Sequence, residues 1–198
     1  MLVIGNTCVG GWIYVIVKQK YNNPFIWCEI DGKNFLNLIV NFNTIDFKKR
    51  RLITVGLEKI KCRKVFAIEI DSQVVVSFPH HIKDETFKAP TKCKSDYIGW
   101  DMRYEKMEEY LLEKYDQRLE RMLKRKETPI FIVDTSVTEK EEAEKIEKCN
   151  VEKIYSIYKN NYEPIDNDTK AVHIGEIATK GRAQKIIEKY GEYIHNTK

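Results

Sequence analysis

Leu2-Val3-Ile4-Gly5-Asn6-Thr7-Cys8-Val9-Gly10-Gly11 is the stretch whose reading decides the fold. Leu2-Val3-Ile4 is a short apolar run that reads as a buried strand, and the glycine-bounded turn after it feeds a helix over residues 12–20. Asn22-Asn23-Pro24 stops that helix, because the residue before a proline is pushed out of helical geometry.

Further along, Asp31 is placed to cap a helix over residues 34–42, whose Phe35, Leu38, Ile39 and Phe42 share one face. Residues 51–55 read as a strand. Residues 64–70 and 74–78 read as two strands joined by the turn Asp71-Ser72-Gln73. Residues 79–101 carry prolines and no clear period. They are followed by a long helix over 103–126 with Tyr104, Met107, Leu111, Tyr115, Leu119 and Met122 in one stripe. Ile130-Phe131-Ile132-Val133 is a buried strand, and Thr138 with Glu141 predicts a capping box opening the next helix. Strands over 151–157 and 171–175 and a closing helix over 179–194 complete the pattern. The expected fold is α/β, a three-layer sandwich with a central mixed sheet, helices on both faces and an inserted hairpin, in one domain spanning residues 1–198.

The chain has 198 residues, of which 34 are basic and 30 acidic, for a net charge of +4. That balance gives no strong field for nucleic acid, and no aromatic-basic motif accompanies it, so no nucleic-acid partner is expected. The short basic runs Lys48-Lys49-Arg50-Arg51 and Lys124-Arg125-Lys126 read as a solvated loop and a helix end. Five scattered cysteines, none at metal-ligand spacing, predict neither a disulfide framework nor a metal site. Residues 2–17 lack a basic flank and are broken by Asn6, Thr7 and glycines, so they read neither as a signal segment nor as a membrane span. A cytoplasmic protein with free thiols and no cofactor is the expectation.

Cys8 is the residue with most chemical promise. A thiol in a strand-to-helix turn sits where helix-end N–H groups lower its pKa, and the backbone N–H groups from Cys8 to Gly10 are placed to hold an oxyanion. The turn lacks the G-x-G-x-x-G spacing of a dinucleotide fold and the Lys-Ser/Thr of a P-loop. A nucleophile needs a base, and His80-His81 follow the strand 74–78. Asp101, Asp134 or Asn6 would orient the imidazole, and spacing does not choose among them. Packing alone also accounts for a small residue beside two glycines, and helix capping for Asp134-Thr135-Ser136.

Val3-Ile4-Gly5-Asn6-Thr7-Cys8 followed by Pro24-Phe25-Ile26-Trp27 resembles the opening of uncharacterised bacterial and viral proteins labelled papain-like cysteine peptidases. Val76-Ser77-Phe78-Pro79-His80-His81 is similar to their strand-then-histidine segment, and residues 113–122 with Pro129-Ile130-Phe131-Ile132-Val133 to their Arg-rich helix and strand. The run Cys8 to Tyr14, with Gly10-Gly11 inside it, also resembles a neighbouring uncharacterised family associated with exopolysaccharide biosynthesis. Ile26 stands where the first family has Asp, and His81 where the second has Tyr. The resemblance implies Cys8 as nucleophile and His80 as base, with Trp27, Arg118 and Arg121 in the pattern but without a role. The expected activity is a thiol-dependent hydrolase or acyl transferase acting on a small-molecule, peptide or glycan substrate. The alternatives are a surface-polysaccharide transferase binding a glycan or nucleotide sugar at the turn, and a binding module without chemistry.

Overall fold

A computed structural model describes residues 1–56, 64–78, 98–125, 127–175 and 177–196. The chain is α/β. Its described elements run β1 (Leu2–Gly5), α1 (Val9–Ile16), α2 (Gly32–Asn41), β2 (Arg50–Gly56), β3 (Lys64–Ile70), β4 (Val74–Phe78), α3 (Ile98–Lys124), β5 (Pro129–Asp134), α4 (Lys140–Glu147), β6 (Lys153–Ile157), β7 (Ala171–His173) and α5 (Thr179–Asn196).

The strands sort into a parallel sheet, β1-β5-β6-β7, and an antiparallel one, β2-β3-β4. In the parallel sheet Leu2 to Gly5 lie beside Pro129 to Ile132, and Asp134 lies beside Ser156. One short segment joins the two sheets. Glu29 exchanges backbone hydrogen bonds with Ser77 at 2.8 and 2.9 Å, and the Ile30 N–H donates to the Asn6 carbonyl at 2.9 Å. The inserted hairpin thereby continues the parallel sheet into a mixed layer, with Glu29 and Ile30 standing between β4 and the end of β1.

Both faces of the parallel sheet are covered, as runs of consecutive apolar residues demand. Side chains alternate along each strand. Val3, Ile130, Ile132 and Ile154 pack with Val9 and Ile13 of α1 and Ala183 and Ile186 of α5. Leu2, Ile4, Phe131 and Val133 pack on the opposite side with Phe35 and Leu38 of α2, Tyr115 and Leu119 of α3 and Ala143 and Ile146 of α4. The hairpin adds Ile68, Ile70, Val74 and Val76 to this second core. Each such aliphatic or aromatic side chain contributes about 1.5–3 kcal/mol by leaving water.

Local signals place the helix starts. Asp31 caps α2, its carboxylate accepting from the Asn34 N–H at 2.8 Å. The start of α4 differs from expectation by one residue. Thr138 spends its hydroxyl elsewhere, accepting from Asn6 Nδ2 at 2.8 Å and donating to the Asp134 carbonyl at 3.1 Å. Glu139 takes the cap position instead, its N–H donating to the Glu142 carboxylate at 2.8 Å. The basic run leads into β2, which begins at Arg50, and meets carboxylates rather than forming a free loop: Lys49 meets Asp71, Arg50 meets Asp116 and Arg51 meets Glu69. Among the described residues no helix is long and apolar enough to cross a membrane.

Candidate functional site

Neighbouring parallel strands β1 and β5 send the chain to opposite faces of the sheet. After β1 the chain enters α1 on one side, and after β5 it enters α4 on the other. In open α/β sheets such a divergence opens a crevice at the carboxyl ends of the two strands, where ligands bind. Here the crevice is bounded by residues 6–8 and 134–138.

Its floor is a buried polar network. Asn6 is fully buried, and its Nδ2 donates to the Asp134 carbonyl at 3.2 Å while its Oδ1 accepts from the Asp134 N–H at 2.7 Å. Thr7 donates from its hydroxyl to Asp134 Oδ2 at 3.0 Å. The Asp134 carboxylate, also fully buried, receives Nη1 of Arg182 at 2.8 and 3.1 Å and the Ser136 N–H at 3.0 Å. Arg182 reaches in from the first turn of α5, steadied by Nε donating to the Ile177 carbonyl at 2.9 Å. Beside Asp134, the buried hydroxyl of Ser156 has no hydrogen-bond partner among the described residues. An orphaned buried hydroxyl costs about 1–3 kcal/mol, and such groups cluster where a ligand completes the network. The loop after β6 is latched to the same edge, with Asn161 donating to the Thr135 carbonyl and accepting from the Thr135 hydroxyl, both at 2.6 Å.

Cys8 occupies the cap position of α1 and is 7% exposed. Its Sγ lies 3.9 Å from the Cys28 carbonyl oxygen. Burial, reinforced by the Glu29 carboxylate, pushes its thiol up to about 11. The neutral thiol is therefore the form held at pH 7, the opposite of the thiolate expected from a helix-end position. Burial pushes the fully buried Cys28 thiol up as well. The amides of Val9 and Gly10 are engaged within the turn, donating to the Thr7 hydroxyl and the Thr7 carbonyl, each at 3.3 Å. The glycines answer to packing. A Cβ on Gly5 would lie 3.0 Å from the Gly10 nitrogen, and one on Gly10 would lie 3.0 Å from the Gly5 nitrogen. Strand and helix thus meet backbone to backbone.

His80 and His81 lie outside the described residues, so the Cys8–imidazole pairing is carried only as far as Phe78. The strand leading to them does not adjoin β1 directly; the chain through Cys28, Glu29 and Ile30 runs between. Asp101 falls within α3, with its side chain outside the described residues. Asn6 and Asp134, the other two candidates for orienting an imidazole, have their polar groups committed to each other, to Thr7, Thr138 and Arg182.

The remaining members of the sequence pattern do come together. Arg118 donates to the Ile26 carbonyl at 3.3 Å and Arg121 to the Tyr21 carbonyl at 2.7 Å, so α3 grips the segment that carries Trp27. Trp27 has φ of 61°, a left-handed backbone that is a genuine outlier for so bulky a residue. On the rim of the crevice, cations stand over rings: Lys180 over Trp12 at 5.5 Å, Arg182 over Tyr158 at 5.0 Å and Lys159 over Tyr158 at 5.2 Å. Sequence reasoning missed Thr7, Ser156, Lys180 and Arg182. The signal that could have found Arg182 is an arginine in the first turn of a helix, where a cation opposes the dipole and needs an acidic partner. Among the described residues no group of three or more His, Cys, Asp and Glu side chains could hold a metal. No protein-family model matches the chain, and no curated protein matches it.

Proposed function

We propose that this chain is a glycan-modifying transferase that binds a nucleotide sugar in the crevice between the ends of β1 and β5. The observation that carries the reading is the divergence of α1 and α4 from adjacent parallel strands, at an edge rimmed by ring–cation pairs. Aromatic faces suit a base or a sugar, while Lys180 supplies positive charge for a diphosphate and Arg182, paired with Asp134, holds the floor beneath it. The buried hydroxyl of Ser156 offers a donor and acceptor for a sugar hydroxyl. A thermal-shift series with UDP-, GDP- and CMP-sugars tests the reading. At least one class raises the melting temperature, and Ser136→Trp, which fills the crevice from an exposed position, removes that shift. No shift with any class rejects it.

One observation favours a second reading, thiol chemistry at the same edge. Ser77 of β4 pairs with Glu29, next to the Cys28 carbonyl that accepts from Cys8. His80 follows Phe78 by two residues, a reach of at most about 7 Å between α-carbons. In that mechanism an imidazole takes the Sγ proton as the sulfur attacks an acyl carbonyl, and returns it to the leaving group. The raised thiol pKa makes such a base a requirement. Labelling with iodoacetamide at pH 7.5 decides: faster alkylation of Cys8 than of Cys149, slowed by His80→Ala, supports the pair, and the reverse order rejects it.

A further inference from the structure

Trp27 lies on α1 through one face of its indole. A Cβ built on Gly11 would meet Cδ2 at 2.9 Å and Cε2 and Cε3 at 3.1 Å. Cδ2 is bonded to three ring atoms, so an approach that is nearest to it comes over the ring face and not along an edge. Gly11 is the residue that permits this, and the left-handed backbone at Trp27 is what turns the ring onto it. Two further rings stand almost perpendicular to Trp27: Trp12 at 5.3 Å and 83°, and Tyr21 at 6.3 Å and 89°. All three rings stay partly exposed. They pack against the edge of the core that α1 and α5 cover, and strain of this kind at a bulky aromatic persists only where the surroundings enforce it.

Two of these rings carry a cation over them. Lys180 stands over Trp12, and Arg118 stands over Tyr21 at 5.5 Å. Arg118 and Arg121 donate to backbone carbonyls, and neither has a carboxylate partner among the described residues. Burial pulls the Arg118 guanidinium below its usual range, with Tyr21 opposing that pull and Arg121 adding to it. A desolvated guanidinium with neutral partners is stabilised by an incoming anion. The same cations exclude the quaternary ammonium ligands that aromatic boxes otherwise take.

We propose that Trp12, Tyr21 and Trp27 form a stacking platform for an acidic pyranose, with Arg118, Arg121 and Lys180 supplying its counter-charge. The platform shares Trp12 and Lys180 with the rim of the crevice, so it deepens the transferase reading and rests on it for its assignment as the acceptor subsite. The class of ligand is a glycan carrying uronic or comparable carboxylate-bearing sugars. Arg118 and Arg121 also fix the backbone of Ile26 and Tyr21, through the carbonyls to which they donate.

Calorimetric titration of the full chain with tetragalacturonate, maltotetraose and inorganic polyphosphate tests this. Tetragalacturonate is expected to bind at least about tenfold more tightly than either of the others. Trp12→Ala weakens it by about tenfold or more while Trp12→Tyr restores it, and Arg118→Gln narrows the preference for the acidic over the neutral tetramer. Thermal melts of each variant report whether it is folded. Polyphosphate binding as tightly as tetragalacturonate, tetragalacturonate binding unchanged in folded Trp12→Ala, or no binding of tetragalacturonate overturns the platform. If the nucleotide-sugar shift persists in that case, the platform alone has failed; if the shift is lost while tetragalacturonate still binds, the crevice reading has failed.

Discussion

Asn6 and Asp134 are locked to one another across the ends of two strands, side-chain amide against main-chain amide, at 2.7 and 3.2 Å. The pair closes the floor of the crevice and fixes the register of its two walls. Asn6→Ala would strand the buried Asp134 N–H and deprive the Thr138 hydroxyl of its donor, while the Asp134 carbonyl keeps the Thr138 hydroxyl. At about 1–3 kcal/mol for one stranded buried group, the expected loss is about 1–3 kcal/mol in urea unfolding. Thr138→Val, which removes one participant only, should cost less.

The Asp134–Arg182 ion pair gives a sharper test. Asp134 is fully buried and Arg182 nearly so. Removing one partner leaves an uncompensated charge, so Arg182→Met should destabilise by about 3–5 kcal/mol. Combining it with Asp134→Asn should recover a large part of that loss. A double-mutant cycle with additive costs would contradict the coupling.

Glycine substitutions around α1 should separate by what each new methyl group meets. At Gly5 and Gly10 it meets backbone at 3.0 Å, which cannot step aside, whereas at Gly11 it meets the Trp27 ring. Gly5→Ala and Gly10→Ala are expected to cost more than the ~1–3 kcal/mol usual for overpacking. Gly11→Ala should fall within that range and alter the tryptophan fluorescence by displacing the ring.

The Cys8 thiol predicts an alkaline signature. Its pKa rises from an ordinary 9.0 to about 11 on folding. In the interval the unfolded chain loses a proton that the folded chain keeps, so the contribution to stability is intact below pH 9 and is lost as pH climbs through about 11. The loss from this group amounts to about 3 kcal/mol. Cys8→Ala should flatten that part of the pH profile in denaturant melts, leaving the slope due to Cys28 and the buried tyrosines, whose hydroxyls burial also pushes up.

Much of the scaffold was legible in local pattern. β3 and β4 match the expected strands over 64–70 and 74–78, and the Asp31 cap is as read, because pleat alternation, turn residues and capping are short-range properties. The one-residue shift at α4 arose because Thr138 serves Asn6, 132 positions away, and no local rule sees that competitor. The same holds for Asp134, which reads as a cap and is in fact the partner of an arginine 48 residues later. The turn at Cys8 was conspicuous in sequence, but the cause of its raised pKa was not: it is burial of a sulfur that lies against the carbonyl of Cys28, 20 residues later. Arg118, Arg121 and Trp27 stood out only as members of a pattern, and acquire a common purpose once α3 crosses the aromatic segment.

The bridge at Glu29 and Ser77 has a consequence for any attempt to divide the molecule. Ile68, Ile70, Val74 and Val76 of the hairpin share one core with α2 and β5, while a seven-pair ladder binds β2 to β3. A chain severed between those two strands would keep its halves clasped, because the cut would remove connectivity and leave the contacts intact. Excising the antiparallel ribbon altogether would instead strip one wall from that core, so a minimal fragment cannot be made by trimming the middle of the sequence.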